Sequence, residues 1–196
     1  MGSMKFSEYR YLVRSDLYRC IGKTTVRVFL QNILRNPGFQ YIFWMRTCKY
    51  LKSQRSFYRP FYYISRVILE HYEYKYGISI PHLTQIGSGL YIGHFGGIVV
   101  NVAVIIGENC YIGQGVTLGQ VNRGKHKGNP VIGDNVYIGA GAKIIGNIKI
   151  GNNVAVGANA VVTKDVPDFA VVVGIPARVI SYNGSEEYIE RTDYQS

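Results

Sequence analysis

His94 stands in the run Gly93-His94-Phe95-Gly96-Gly97, an imidazole set among glycines. Imidazole is mostly neutral near pH 7 and can take a proton from a hydroxyl or hand one on. Glycines around it leave room for a substrate to come close to the backbone. A second imidazole, His126, lies in the polar, basic and glycine-rich segment Gln120 to Pro130 (QVNRGKHKGNP), where it could touch an acceptor. His71 and His82 read as structural. Cys20, Cys48 and Cys110 are odd in number and follow no metal-ligand spacing. The chemistry legible at this level is proton transfer at His94 with no metal.

The element that must position His94 is a repeat. From Ile132 to Val162 an aliphatic residue returns at every sixth position (Ile132, Ile138, Ile144, Ile150, Val156, Val162). Neither an α-helix nor an alternating strand gives a sustained period of six, whereas a three-sided parallel β-helix does. The register runs back through Leu118, Ile112 and Ile106, then, after a shift of two, through Ile98, Ile92, Ile86 and Ile80. A second inward position holds Leu90, Cys110, Val116, Val136, Ala142, Ile148, Val154 and Ala160, mostly small enough for a narrow interior. Gly, Asn and Asp between them suit left-handed corners. The period breaks between Ile98 and Ile106, a step of eight, and between Leu118 and Ile132, a step of fourteen that expels Gln120 to Pro130 as a loop.

Residues 4–77 form a different unit, 78–180 the β-helix and 181–196 a tail. Up to residue 77 the chain carries 14 Lys and Arg against 4 Asp and Glu, and 18 of its 26 aromatic residues. The remainder is balanced, so the whole excess of positive charge lies in this segment. It reads as helical, with Ser15 or Asp16 capping one helix, a break at Asn36-Pro37-Gly38, and apolar spacing resuming at Tyr41, Ile42, Met45 and Cys48. Such a segment could pack on the β-helix or on a partner subunit, or meet an anionic membrane surface or a lipid-linked acidic substrate. Basicity without a nucleic-acid-binding motif gives no reason to expect nucleic acid. No stretch approaches the roughly 18 apolar residues of a membrane span, and the unpaired cysteines suit the cytoplasm.

The repeat, the GHFGGIVVN segment, the GVTLG step with its basic loop, GAGAKIIGNIKIG and the closing VVVGIPARVI resemble the serine acetyltransferase branch of the hexapeptide acyltransferases. The likeness runs from about Ser79 to Ile180, and SDLYR with NPGF extends it more weakly toward the N-terminus. It implies a left-handed parallel β-helix, a homotrimer with active sites between subunits, and acetyl-CoA as donor. His94 would be the general base. The pantetheine arm would pass Ala140 and Ala158, and Thr163, Lys164 and Arg178 would meet the nucleotide end, where cations suit phosphates.

Four positions depart from that branch. Ser79 replaces the aspartate that orients the base, Gly93 the acidic residue for the serine amine, and Gly128 and Asn129 the loop arginine and second histidine. Ser79, a backbone carbonyl, Glu70 or Glu73 could orient the ring in its place, and Ser79, His126 and Asn129 are the acceptor-binding candidates. A site without its amine and carboxylate partners should favour an amino acid poorly. The expected acceptor is therefore a sugar hydroxyl of a surface polysaccharide, with serine as the alternative and a silent scaffold as a further one. A zinc enzyme on such a prism needs three histidines, and His82, His94 and His126 do not have the spacing.

Overall fold

The six-residue spacing becomes a three-faced parallel β-helix in the computed structural model, which describes residues 3–194. The first face stacks Ile78–Ser79, Ile98–Val100, Thr117–Gly119, Lys143–Ile145 and Val161–Val162. The second stacks Gln85–Ile86, Ile105–Ile106, Val131–Ile132 and Lys149–Ile150, and the third Tyr91–Ile92, Tyr111–Ile112, Tyr137–Ile138, Ala155–Val156 and Val171–Val173. Neighbours pair in parallel, and Arg178–Ser181 closes the third face antiparallel. Both inward series are buried along their whole length, each large aliphatic side chain contributing about 1.5–3 kcal/mol. One corner is held by an asparagine ladder in left-handed backbone, where Asn109 Nδ2 donates to Asn135 Oδ1 and Asn135 Nδ2 to Asn153 Oδ1, both at 3.0 Å.

The strand register moves the upper interruption. Ile92 pairs with Ile112, twenty residues on, but Val100 pairs with Leu118, only eighteen on. The two extra residues therefore sit in the loop 93–97 and not between Ile98 and Ile106, as the sequence suggested. The reason is that Ile98 and Val100 both point inward, at 0% and 3% exposure, so periodicity could follow either. The excess falls on the loop that carries His94.

Four helices precede the column: α1 (Phe6–Ile21), α2 (Val26–Arg35), α3 (Pro37–Ser53) and α4 (Arg59–Tyr76). Asn36 caps α3, its Oδ1 accepting from the Phe39 N–H at 3.1 Å, with Pro37 in the first turn. Gly38 is required by contact, since a Cβ there would stand 2.2 Å from the Ile92 carbonyl oxygen. Ser15 and Asp16 are not caps as expected. They lie inside α1, buried, and turn toward the column: Ser15 Oγ accepts from the Gly89 N–H and Asp16 Oδ1 from the Leu90 N–H.

Basic residues of this unit are partly consumed in the same seam. Arg46, 2% exposed, forks onto Asp16 and donates to the carbonyls of Ile86 and Gly87. Arg19 donates to the carbonyls of Gly89 and Asn109. Tyr41 Oη bridges both backbone groups of Ile80. The segment thus packs on the β-helix, the first of the roles its composition allowed. After the column, residues 183–194 return to α1, where Arg191 donates to the Cys20 carbonyl and Tyr194 Oη donates to Asn109 Oδ1.

Candidate active site

The loop 93–97 turns the corner between the third and first faces. Below it the same corner is made by single residues between left-handed or glycine positions: the Gly115 N–H donates to the Gly96 carbonyl, Gly141 to Gln114, and Asn159 to Ala140, at 2.7–2.8 Å. One vertical line on the prism edge therefore reads His94 to Gly96, then Gln114, Ala140 and Ala158. At a coil rise of about 4.8 Å, Ala140 and Ala158 lie ~10 and ~14 Å below the histidine loop. Two extra residues at the top extrude the imidazole, which is exposed. Below Gln114 the edge carries only the small side chains of Ala140 and Ala158. Phe95 leans back, its ring centroid 5.3 Å from that of Tyr76 at the end of α4.

Thr163, Lys164 and Arg178 come together at the foot of the column. They line a cavity of about 270 Å³ with Asp165, Pro176 and Ala177, where the antiparallel strand Arg178–Ser181 folds back. Two cations on one small cavity suit a phosphate-bearing group.

His126 and Asn129 are not beside His94 in the same chain. Their loop leaves from the other edge of the first face, between Thr117–Gly119 and Val131–Ile132, and is pinned by paired backbone hydrogen bonds of Val121 with Gly128 and by Asn147 N–H to the His126 carbonyl. The His126 side chain is exposed, and Asn129 Oδ1 is buried without a hydrogen-bond partner among the described residues. Ser79 stands on the first face in register with Val99, its Oγ donating to Glu73 Oε1 at 2.6 Å. Glu70, the other carboxylate considered, is exposed.

The remaining titratable groups fit structural roles. His82 contacts Tyr62 Oη at 3.3 Å, and burial together with Arg66, Lys52 and Lys49 lowers its pKa to about 4. Burial pushes the Cys20 and Cys110 thiols up to about 12, which removes them as nucleophiles at neutral pH. Among the described residues no group of three His, Cys, Asp or Glu could hold a metal ion. Sequence reasoning missed Gln114, which stands beneath Gly96 of the histidine loop on the edge. Aligning Gly113-Gln114-Gly115 with Gly139-Ala140-Gly141 would have found it.

Residues 129–164 match the family Bacterial transferase hexapeptide (six repeats). A serine acetyltransferase of Synechococcus elongatus is 40% identical over 157 residues, 79% of this chain and 62% of that protein. One of Bacillus licheniformis is 36% identical over 160 residues, 82% of this chain and 72% of that protein. The chain belongs to the serine acetyltransferase family. The fold agrees: the crystal structure of the Brucella abortus serine acetyltransferase superposes with a TM-score of 0.75 at 30% identity, covering 92% of this chain and 72% of that one, and that protein has also been solved in complex with coenzyme A. The chain spans 59–62% of the length of the first curated relatives it matches.

Family membership corrects the expected acceptor. The relatives named above carry the name serine acetyltransferase, which points to an amino-acid acceptor and away from polysaccharide O-acetylation. Losing amine and carboxylate partners weakens the grip on an amino acid, but it does not build a sugar site. The expectation of a glycan or lipid-linked substrate falls with it.

Proposed function

We propose that this chain is an acetyl-CoA-dependent serine O-acetyltransferase. The observation that carries the reading is the prism edge, with one extruded imidazole at its head and small residues Ala140 and Ala158 below, above a cavity at the bottom of the column that Lys164 and Arg178 line from beyond the first face. Family membership supports the choice of both substrates.

In this reading the pantetheine arm of acetyl-CoA passes Ala140 and Ala158 on the edge, and its phosphates meet Thr163, Lys164 and Arg178 at the bottom of the column. The serine hydroxyl donates its proton to the neutral His94 ring as its oxygen attacks the thioester carbonyl. The negative charge that develops on that carbonyl oxygen is met by backbone N–H groups of the edge. Collapse breaks the C–S bond, and the imidazolium returns the proton to the leaving thiolate. O-acetylserine and coenzyme A result.

The chain acts as a homotrimer. His94 stands at one edge of the first face and the 120–130 loop at the other, so one copy's loop, with His126 and Asn129, closes over the next copy's histidine. The reaction belongs in the cytoplasm, where free cysteines stay reduced; no helix among the described residues is long and apolar enough to cross a membrane.

Mass spectrometry of the product after incubation with acetyl-CoA and L-serine tests the reading. Acetylated serine is expected. Release of coenzyme A with serine unmodified would refute serine as acceptor.

A further inference from the structure

We propose that Glu73 is a positioning residue for the transfer step, acting on the His94 imidazole through the hydroxyl of Ser79; the inference rests on the acetyl-transfer reading above. Ser79 stands where the family resemblance places an orienting aspartate, and a serine alone brings no charge. The structure supplies the carboxylate from another element. Glu73, in the last turn of α4, accepts the Ser79 Oγ proton at 2.6 Å, and among the described residues it makes no ion pair.

Three contacts hold this turn against the histidine loop. The Gly77 N–H caps α4 on the Glu73 carbonyl, and the Gly77 carbonyl accepts from the Ile98 N–H at 3.1 Å. A Cβ on Gly77 would stand 3.3 Å from the Gly97 nitrogen. The Tyr76 ring packs on Phe95, next to His94. Helix end, Ser79 strand and histidine loop are thus packed into one assembly.

The proton count favours a relay. Ser79 has one hydroxyl proton and gives it to Glu73, so its lone pairs are left to accept. An Nδ1–H donated to Ser79 Oγ would fix the tautomer that leaves Nε2 free to take the substrate proton. The carboxylate then polarises the hydroxyl and stabilises the imidazolium formed during attack.

Steady-state kinetics with acetyl-CoA and serine on Glu73→Gln, Ser79→Ala, the double variant Glu73→Gln/Ser79→Ala, and the double variant Glu73→Gln/Ser79→Asp test this. Each single change should lower kcat by about 10- to 100-fold and leave KM for acetyl-CoA unchanged. Combining Glu73→Gln with Ser79→Ala should be no worse than the poorer single, because the two act as one unit. Adding Ser79→Asp to Glu73→Gln should restore most of the loss, which a merely structural hydrogen bond would not do. Wild-type kcat in Glu73→Gln, losses that multiply in the double, or no recovery with Ser79→Asp would overturn the relay. His94→Ala separates the two levels: an inactive His94→Ala beside a fully active Glu73→Gln sinks only the relay, whereas a fully active His94→Ala sinks the transfer reading itself.

Discussion

Arg46 and Asp16 meet at 2.9 Å with side-chain exposures of 2% and 0%, in the seam between α1, α3 and the first coil. The guanidinium also serves the carbonyls of Ile86 and Gly87. Removing it leaves a buried carboxylate without its counter-charge and two carbonyls without their donor. Arg46→Met should cost about 3–5 kcal/mol, read as a lower urea midpoint. Unchanged stability would mean that the seam is not held by this pair.

His82 makes the fold acid-sensitive. Its pKa falls from the ordinary 6.5 to about 4, through burial first and then the facing charges of Arg66, Lys52 and Lys49. Between those values the unfolded chain takes the proton and the folded one refuses it. Its contribution to stability is thus complete above pH 6.5 and lost as pH falls toward 4. Thermal melts from pH 7 to 4.5 should show a steeper fall in Tm for wild type than for His82→Gln. Parallel curves would dismiss the effect.

Ala158 is exposed on the corner edge along which we propose the pantetheine arm passes. Ala158→Leu should raise KM for acetyl-CoA by about tenfold, roughly 1.4 kcal/mol, with little change in Tm. An unaltered KM would place the donor elsewhere.

The acceptor loop offers a gain-of-function test. Gly128 cannot simply be given a side chain: its φ is +134° and a Cβ would stand 2.9 Å from that of Asn147. Position 129 carries no such strain. Asn129→His, which restores the family's second histidine, should raise kcat/KM for serine in initial-rate assays. A fall would show that Asn129 already makes a specific contact with the acceptor.

The column was legible because burial inside a narrow prism writes itself as a period of six, and His94 because an imidazole among glycines is conspicuous. The position of the two-residue excess was not, since Ile98 and Val100 both satisfy the inward pattern. Asp16 and Arg46 are thirty residues apart, and a buried charge pair looks like two solvated residues until the helices are packed. Glu73 could be named only as one of two carboxylates beside Ser79 and a backbone carbonyl, because its bond to Ser79 spans the junction of helix and strand. The acceptor was misread for a related reason: the sequence shows which side chains of the resembled family are missing and says nothing of what takes their place.

The most direct measurement is the initial rate of coenzyme A release with L-serine for wild type and His94→Ala. A loss of about 10² to 10⁴ in kcat, with KM for acetyl-CoA unchanged, is the predicted result. A variant that releases coenzyme A and acetylates serine at the wild-type rate would contradict it.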